Sequence, residues 1–243
     1  MAKSDFDSIY ARAAERKGGE DELARLLSPM MESEALAAVP DSRFLAEMTR
    51  CLFQAGFVWR VINQKWDGFE AVFHGFDIDA LLGLSTEDWD DMLQDKRIVR
   101  NGQKIRAVSA NARFIDDVAM AHGSFARFIA DWPCGELSGL FDFLKRRGSR
   151  LGGMTGQRFL RNIGKDTFIL TADVVRALQE AGLDIADNPS SKRDLVAAQS
   201  QFNDWHAQTG LPYTQLSRIA AFSVGENYAT DQVLNRSEGQ SEN

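Results

Sequence analysis

Apolar residues recur along this chain at spacings of three and four, with little of the alternation that marks a half-buried strand. The pattern predicts an all-α protein. Ser4 or Asp5 can cap a first helix that runs to about Lys17 and ends at Gly18-Gly19, and a short second helix follows. Pro40-Asp41-Ser42 then opens a long apolar segment, residues 44–66, in which Leu45, Met48, Leu52, Ala55, Trp59 and Ile62 share one face. That segment is a central helix or a broken pair. Short helices are expected over 69–73 and 86–93, the latter capped by Ser85, and a longer one from Asn101 to Val118. Ser124 starts a helix that Pro133 stops. An amphipathic stretch at 135–147, a tight turn at 148–153 and a further helix at 155–163 read as helix, hairpin, helix. Helices starting at Thr171 or Asp173, at Ser191 and at Thr214 complete the series. One domain over residues 1–229 and a polar tail over 230–243 are expected, without internal repeats.

Composition is that of a globular chain, 243 residues with 44% apolar and 26% charged content. No apolar run approaches the roughly 18 to 20 residues that span a bilayer, and the opening MAKSDFDSIYARAAERKGG lacks the apolar core of a signal peptide. A cytoplasmic monomer without membrane contact is expected. Cys51 and Cys134 lie in largely apolar surroundings and read as packed free thiols. The net charge of -7 counts against a polyanionic partner, yet Lys145, Arg146, Arg147, Arg150, Arg158, Arg161 and Lys165 follow one another with no acid between them. The charge is acidic in sum and basic in one stripe.

Three segments can carry chemistry. Arg150-Leu151-Gly152-Gly153-Met154-Thr155-Gly156 sets a glycine turn directly before a helix start, where free amides and the positive dipole end favour an anion; an ordinary turn between packed helices has the same look. Phe53 and Trp59, around Gln54-Ala55-Gly56, supply flat faces for an extruded base, or simply core packing. Arg100-Asn101-Gly102-Gln103-Lys104 puts basic residues about an Asn-Gly turn and reads as a second phosphate contact or a solvated loop. Walker, dinucleotide-binding and nucleophile-elbow patterns are missing, and His74, His122 and His206 stand far apart, so neither a metal nor a cofactor is expected.

Several ordered stretches together resemble the type I 3-methyladenine DNA glycosylases, from about Phe44 to Val224. These are Gln54-Ala55-Gly56-Phe57-Val58-Trp59, Phe73-His74-Gly75-Phe76-Asp77, Ile98-Val99-Arg100-Asn101 with Lys104-Ile105, Asn111-Ala112-Arg113, Gly123-Ser124-Phe125 and Leu144-Lys145-Arg146-Arg147-Gly148. The resemblance implies a helix-hairpin-helix DNA glycosylase fold, two helical lobes around a base-binding cleft. It also implies that double-stranded DNA containing alkylated bases is the partner. Trp59 matches a tryptophan that lines the family's pocket, with Tyr10, Cys51, Phe53 and Gln54 as further base contacts. Lys145, Arg150, Gly152, Gly153, Thr155, Arg100 and Lys104 would hold the DNA backbone.

Three departures qualify this. The family's base-recognising glutamate lies three residues before the glutamine of Gln-Ala-Gly, and Cys51 stands there; Glu47, one turn earlier, can supply the charge or merely pair with Arg50. The zinc ligands that join the family's termini are missing, which leaves hydrophobic contacts between terminal helices to replace them. The lysine and aspartate of lyase-competent relatives fall at Gln157 and Thr171, so no Schiff base can form and base release without strand cleavage is expected. Asp173 remains a second acid or a helix cap. A lesion-binding module with little catalysis, or a glycosylase for another damaged base, are the alternatives.

Overall fold

The computed structural model describes residues 6–27 and 30–234. Its helices are α1 (Phe6–Lys17), α2 (Glu20–Arg25), α3 (Ser33–Ala37), α4 (Asp41–Gln54), α5 (Trp59–Gln64), α6 (Trp66–Val72), α7 (Ile78–Leu82), α8 (Thr86–Met92), α9 (Gly102–His122), α10 (Phe125–Asp131), α11 (Leu137–Arg147), α12 (Met154–Asn162), α13 (Ala172–Glu180), α14 (Lys192–Thr209) and α15 (Tyr213–Phe222). No strand occurs among the described residues. The expected all-α class holds, and local chemistry sets several of the boundaries. Asn101, Ser124, Thr171 and Ser191 each accept a hydrogen bond from the amide three residues on, and Ser85 forms a reciprocal capping box with Asp88. The caps proposed at Ser4 and Asp5 lie outside the described residues. Among the described residues no helix is long and apolar enough to cross a membrane.

The chain divides into two compact units. The first contains α1, α2, α13, α14, α15 and the start of α11. Its core stacks Phe168 on Phe202 at 4.4 Å and sets Phe6 against Trp205 at 5.1 Å. The Asp166 carboxylate caps α15, accepting from the Tyr213 and Thr214 amides at 3.1 and 2.7 Å. The expected apolar clasp between the ends of this unit is present as α1 packed on α15, but polar bonds complete it. Arg16 donates to the carbonyls of Phe222, Val224 and Gly225, Lys17 donates to Asn227 and the Tyr228 carbonyl, and Asn227 returns a bond to the Arg16 carbonyl. Two cations thus satisfy the carbonyls that end α15 and the segment after it. The proposed tail boundary at 229 precedes a helical turn at 230–234 whose Thr230 is buried.

The second unit holds α3 to α10, the rest of α11 and α12. At its centre is α4, whose Phe44, Leu45, Met48 and Phe53 are fully buried and which packs on α9 and α12. Asp41, in the first turn of α4, caps α10 by accepting from the Phe125 and Ala126 amides. The long apolar segment is a broken pair. Ala55 leaves helical geometry at ψ 113° and Gly56 takes φ 74°, a region costly for any residue with a Cβ.

Candidate active site

On α4, residues 47 and 51 share a face, one turn apart. The Cys51 thiol donates to Glu47 Oε1 at 3.3 Å, and Asn162 Nδ2, on the last turn of α12, donates to the same oxygen at 2.8 Å. Arg50 Nε lies 3.7 Å from the other carboxylate oxygen, and its guanidinium covers the Trp66 ring at 4.1 Å. The Glu47 side chain is 18% exposed. Burial pushes its carboxyl above the ordinary range, and the bonds from Asn162, the charge of Arg50 and the Cys51 thiol draw it partly back. Burial, reinforced by the neighbouring Glu47, holds the Cys51 thiol well above its usual value, so it stays protonated and acts as a donor. Glu47 therefore does more than pair with Arg50: its charge reaches the position of Cys51, where the resemblance expects the glutamate.

Immediately after the break, Trp59 begins α5 with its ring part-exposed, and the Arg158 guanidinium lies 5.0 Å from the ring centroid. Ahead of it, Phe57 and Val58 are 41% and 66% exposed, an apolar tip that the sequence reading passed over. Three candidates in this region have structural roles. Phe53 is fully buried and packs edge-on against Phe69 at 4.7 Å, so its ring offers no face to a base. Gln54 is buried and donates to Asn63 across the turn at 3.1 Å. Lys104, read as a phosphate contact, is 7% exposed and donates to the Phe53 and Ala55 carbonyls at 3.2 and 2.7 Å. It caps the C-terminus of α4, where a helix leaves its carbonyls unpaired and favours a cation.

The hairpin between α11 and α12 is as the sequence predicts. Asn111, buried in α9, grips it from both sides of one residue: its Oδ1 accepts from the Ser149 amide at 2.7 Å and its Nδ2 donates to the Ser149 carbonyl at 3.2 Å. Gly153 adopts φ 60°, ψ -141°, open essentially to glycine alone, and a Cβ on Gly156 would collide with the Leu151 carbonyl. No side chain caps the first turn of α12, which leaves the amides near Gly153, Met154 and Thr155 for an anion. The Lys145 stem packs over Gly152, and exposed Arg150 is hydrogen-bonded to Gln103. Arg100 is also exposed.

In the first unit Tyr10 is part-exposed on α1. Asp173 is exposed in the first turn of α13 with its carboxylate against Gly225, while Thr171 is the cap of that helix. Gln157 is 2% exposed. Among the described residues no group of three His, Cys, Asp or Glu side chains is placed to hold a metal ion, and both cysteines are free.

The fold is that of the helical DNA glycosylases. The structure of Methanocaldococcus jannaschii 8-oxoguanine glycosylase/lyase in complex with a 15mer DNA containing 8-oxoguanine matches 88% of this chain and 96% of that one, with a TM-score of 0.52 at 17% identity. Within that class, residues 37–137 match the methyladenine glycosylase family. DNA-3-methyladenine glycosylase 1 of Escherichia coli (strain K12) is 39% identical over 75 residues, which is 30% of this chain, and the match spans 40% of that relative's length. The 3-methyladenine DNA glycosylase I structure from Staphylococcus aureus is 24% identical, covering 57% of this chain and 79% of that one with a TM-score of 0.44. The chain is thus like the type I 3-methyladenine glycosylases, and the matched segment contains Glu47, Cys51 and Trp59.

Proposed function

We propose that this protein is a monofunctional DNA N-glycosylase that releases alkylated purines, 3-methyladenine being the lesion of its relatives, by hydrolysis of the glycosidic bond. The observation that carries the reading is the part-buried Glu47 carboxylate, held by Cys51 and Asn162 and lying in a segment that matches the methyladenine glycosylases. In the proposed cycle the hairpin amides, Lys145 and Arg150 hold phosphates, with Arg100 as an outlying contact, Gly152 within the turn and Thr155 in the first turn of α12. The damaged nucleotide leaves the stack at an expense of a few kcal/mol, and exposed Phe57 and Val58 fill the gap as an apolar wedge. Trp59 stacks on the extruded base. As the glycosidic bond breaks, positive charge develops on the sugar; the Glu47 carboxylate stabilises it electrostatically and takes the proton of the attacking water.

The resemblance sets Gln157 where lyase-competent relatives have their amine, so the strand should stay intact. The test is chromatography of bases freed from methylated duplex DNA alongside a strand-integrity gel. Free alkylated purine with an intact strand is expected. Firm binding of damaged DNA with no base released would replace the enzyme by a lesion-binding module.

A further inference from the structure

Between α4 and α5 the chain crosses residues 55–58, all of them exposed, and the apolar tip of Phe57 and Val58 stands on this link. Its backbone is lightly held: after the break at Gly56, the Phe57 amide donates to the Gln54 carbonyl at 3.1 Å. An exposed link of this kind opens readily, and an exposed phenylalanine gains by folding onto the nearest apolar surface. Phe57 nevertheless stays 41% exposed. Lys104 Nζ lies 4.4 Å from the Phe57 ring centroid and 5.7 Å from that of Phe53. An ammonium has three N–H donors. Two are taken by the Phe53 and Ala55 carbonyls, which leaves the third for the face of the Phe57 ring. Lys104 is itself well anchored: it is 7% exposed, and its amide donates to the Asn101 side chain that caps α9. Shielded from water, an ammonium attracts a ring more strongly than at an open surface.

We propose that Lys104 is the positioning residue of the wedge: its ammonium, tethered to the end of α4, holds the Phe57 ring outward and orders residues 55–58 before they enter the base stack. The inference rests on the reading of Phe57 and Val58 as the wedge, and it gives the buried cation a second role beside capping α4. The two roles separate physically. A cap acts on carbonyls and is indifferent to which apolar side chain stands at position 57, whereas a positioning cation needs an aromatic face there. Order before binding matters because every residue that has to be fixed on the DNA weakens the complex. The attraction of a shielded ammonium for a ring corresponds to about five- to thirtyfold in the equilibrium between the ordered and the loosened tip.

Fluorinated phenylalanines at position 57 test this without touching Lys104, because fluorine drains the negative face of the ring while keeping it apolar and nearly the same size. The full chain is prepared with phenylalanine, difluorophenylalanine and pentafluorophenylalanine there, in the wild type and in Lys104→Gln, which keeps an amide donor for the carbonyls but no charge. Hydrogen exchange of the Phe57 amide is measured in the free protein. Opening of the stack is measured in a bound duplex that carries 2-aminopurine next to a tetrahydrofuran abasic site, by the fluorescence of the 2-aminopurine, with Phe57→Ala alongside. Exchange should quicken stepwise with fluorination, by about five- to thirtyfold at pentafluorophenylalanine, and opening of the stack should fall in the same order. In a folded Lys104→Gln the series should lose its slope. Exchange and opening that stay level along the series, or a slope that persists in Lys104→Gln, would overturn the inference. Stack opening by Phe57→Ala equal to that of the wild type would show instead that no ring enters the stack, which removes the wedge reading and the inference together.

Discussion

Replacing Asn111 by alanine separates the hairpin's position from its chemistry, because Asn111 lies beneath it and is itself 1% exposed. The variant loses two hydrogen bonds, one accepted from the Ser149 amide at 2.7 Å and one donated to its carbonyl at 3.2 Å. Each such bond contributes about 0.5 to 1.5 kcal/mol net, so about 1 to 3 kcal/mol is lost. Ser149 is half-exposed, which lets water take over part of its bonding, and alanine's better helix propensity offsets about 0.5 kcal/mol in α9. For a chain of this size the melting temperature should fall by roughly 1 to 10 °C. Titration of undamaged and damaged duplexes at 10 °C, well below the transition, then reads the hairpin alone. Every duplex should bind more weakly by at least about tenfold, since a displaced turn no longer aligns its amides on a phosphate. Full affinity for all duplexes in a variant that melts at the lower temperature would show that this hairpin is not the grip on DNA.

Lys145→Glu with Arg150→Glu should weaken binding to all sequences alike and flatten the slope of log affinity against log salt by about 1.8, measured between 50 and 200 mM salt. Trp59→Ala should remove the preference for lesion over undamaged duplex while nonspecific, salt-sensitive binding survives; persistent preference in fluorescence titration would move the base site elsewhere. Glu47→Gln should change the pH dependence of stability. The folded carboxyl titrates above its ordinary value near 4.5, chiefly through burial, so the folded state holds a proton that the unfolded chain gives up. Stability contributed by this group is complete below about pH 4.5 and declines as pH rises through the folded value. Denaturant titrations across pH 4 to 8 should show that decline in the wild type and less of it in the variant; parallel curves would mean Glu47 is solvated.

The helices were readable in the sequence because their limits depend on residues three or four apart, as with Ser85 and Asp88 or Asn101 and Lys104. The hairpin was readable for the same reason. What eluded the pattern depends on distant partners. Glu47 and Cys51 have the spacing of one helical turn, but the carboxylate is held by Asn162, 115 residues further on. Lys104 looked like a phosphate contact from its basic neighbours, and its burial follows from the unpaired carbonyls at the end of α4. Phe53 carries the signature of either a stacking or a core aromatic, and only the position of Phe69 decides between them. The expectation for the terminal helices is apolar contact alone, and α1 does pack on α15. Arg16 and Lys17 do as much through carbonyls whose orientation no residue type announces. Arg158 belonged to a basic stripe read as one surface, yet it faces Trp59.

The central claim is that Glu47 is the working carboxylate of a base-excising site. Single-turnover release of free alkylated purines from methylated duplex DNA, followed by chromatography for wild type, Glu47→Gln and Cys51→Ala, tests it most directly. The account predicts base release with the strand intact, a fall of about hundredfold or more in Glu47→Gln, and a smaller loss in Cys51→Ala. Unchanged release in Glu47→Gln, or no alkylated base released by the wild type under conditions where it binds the DNA, would contradict it.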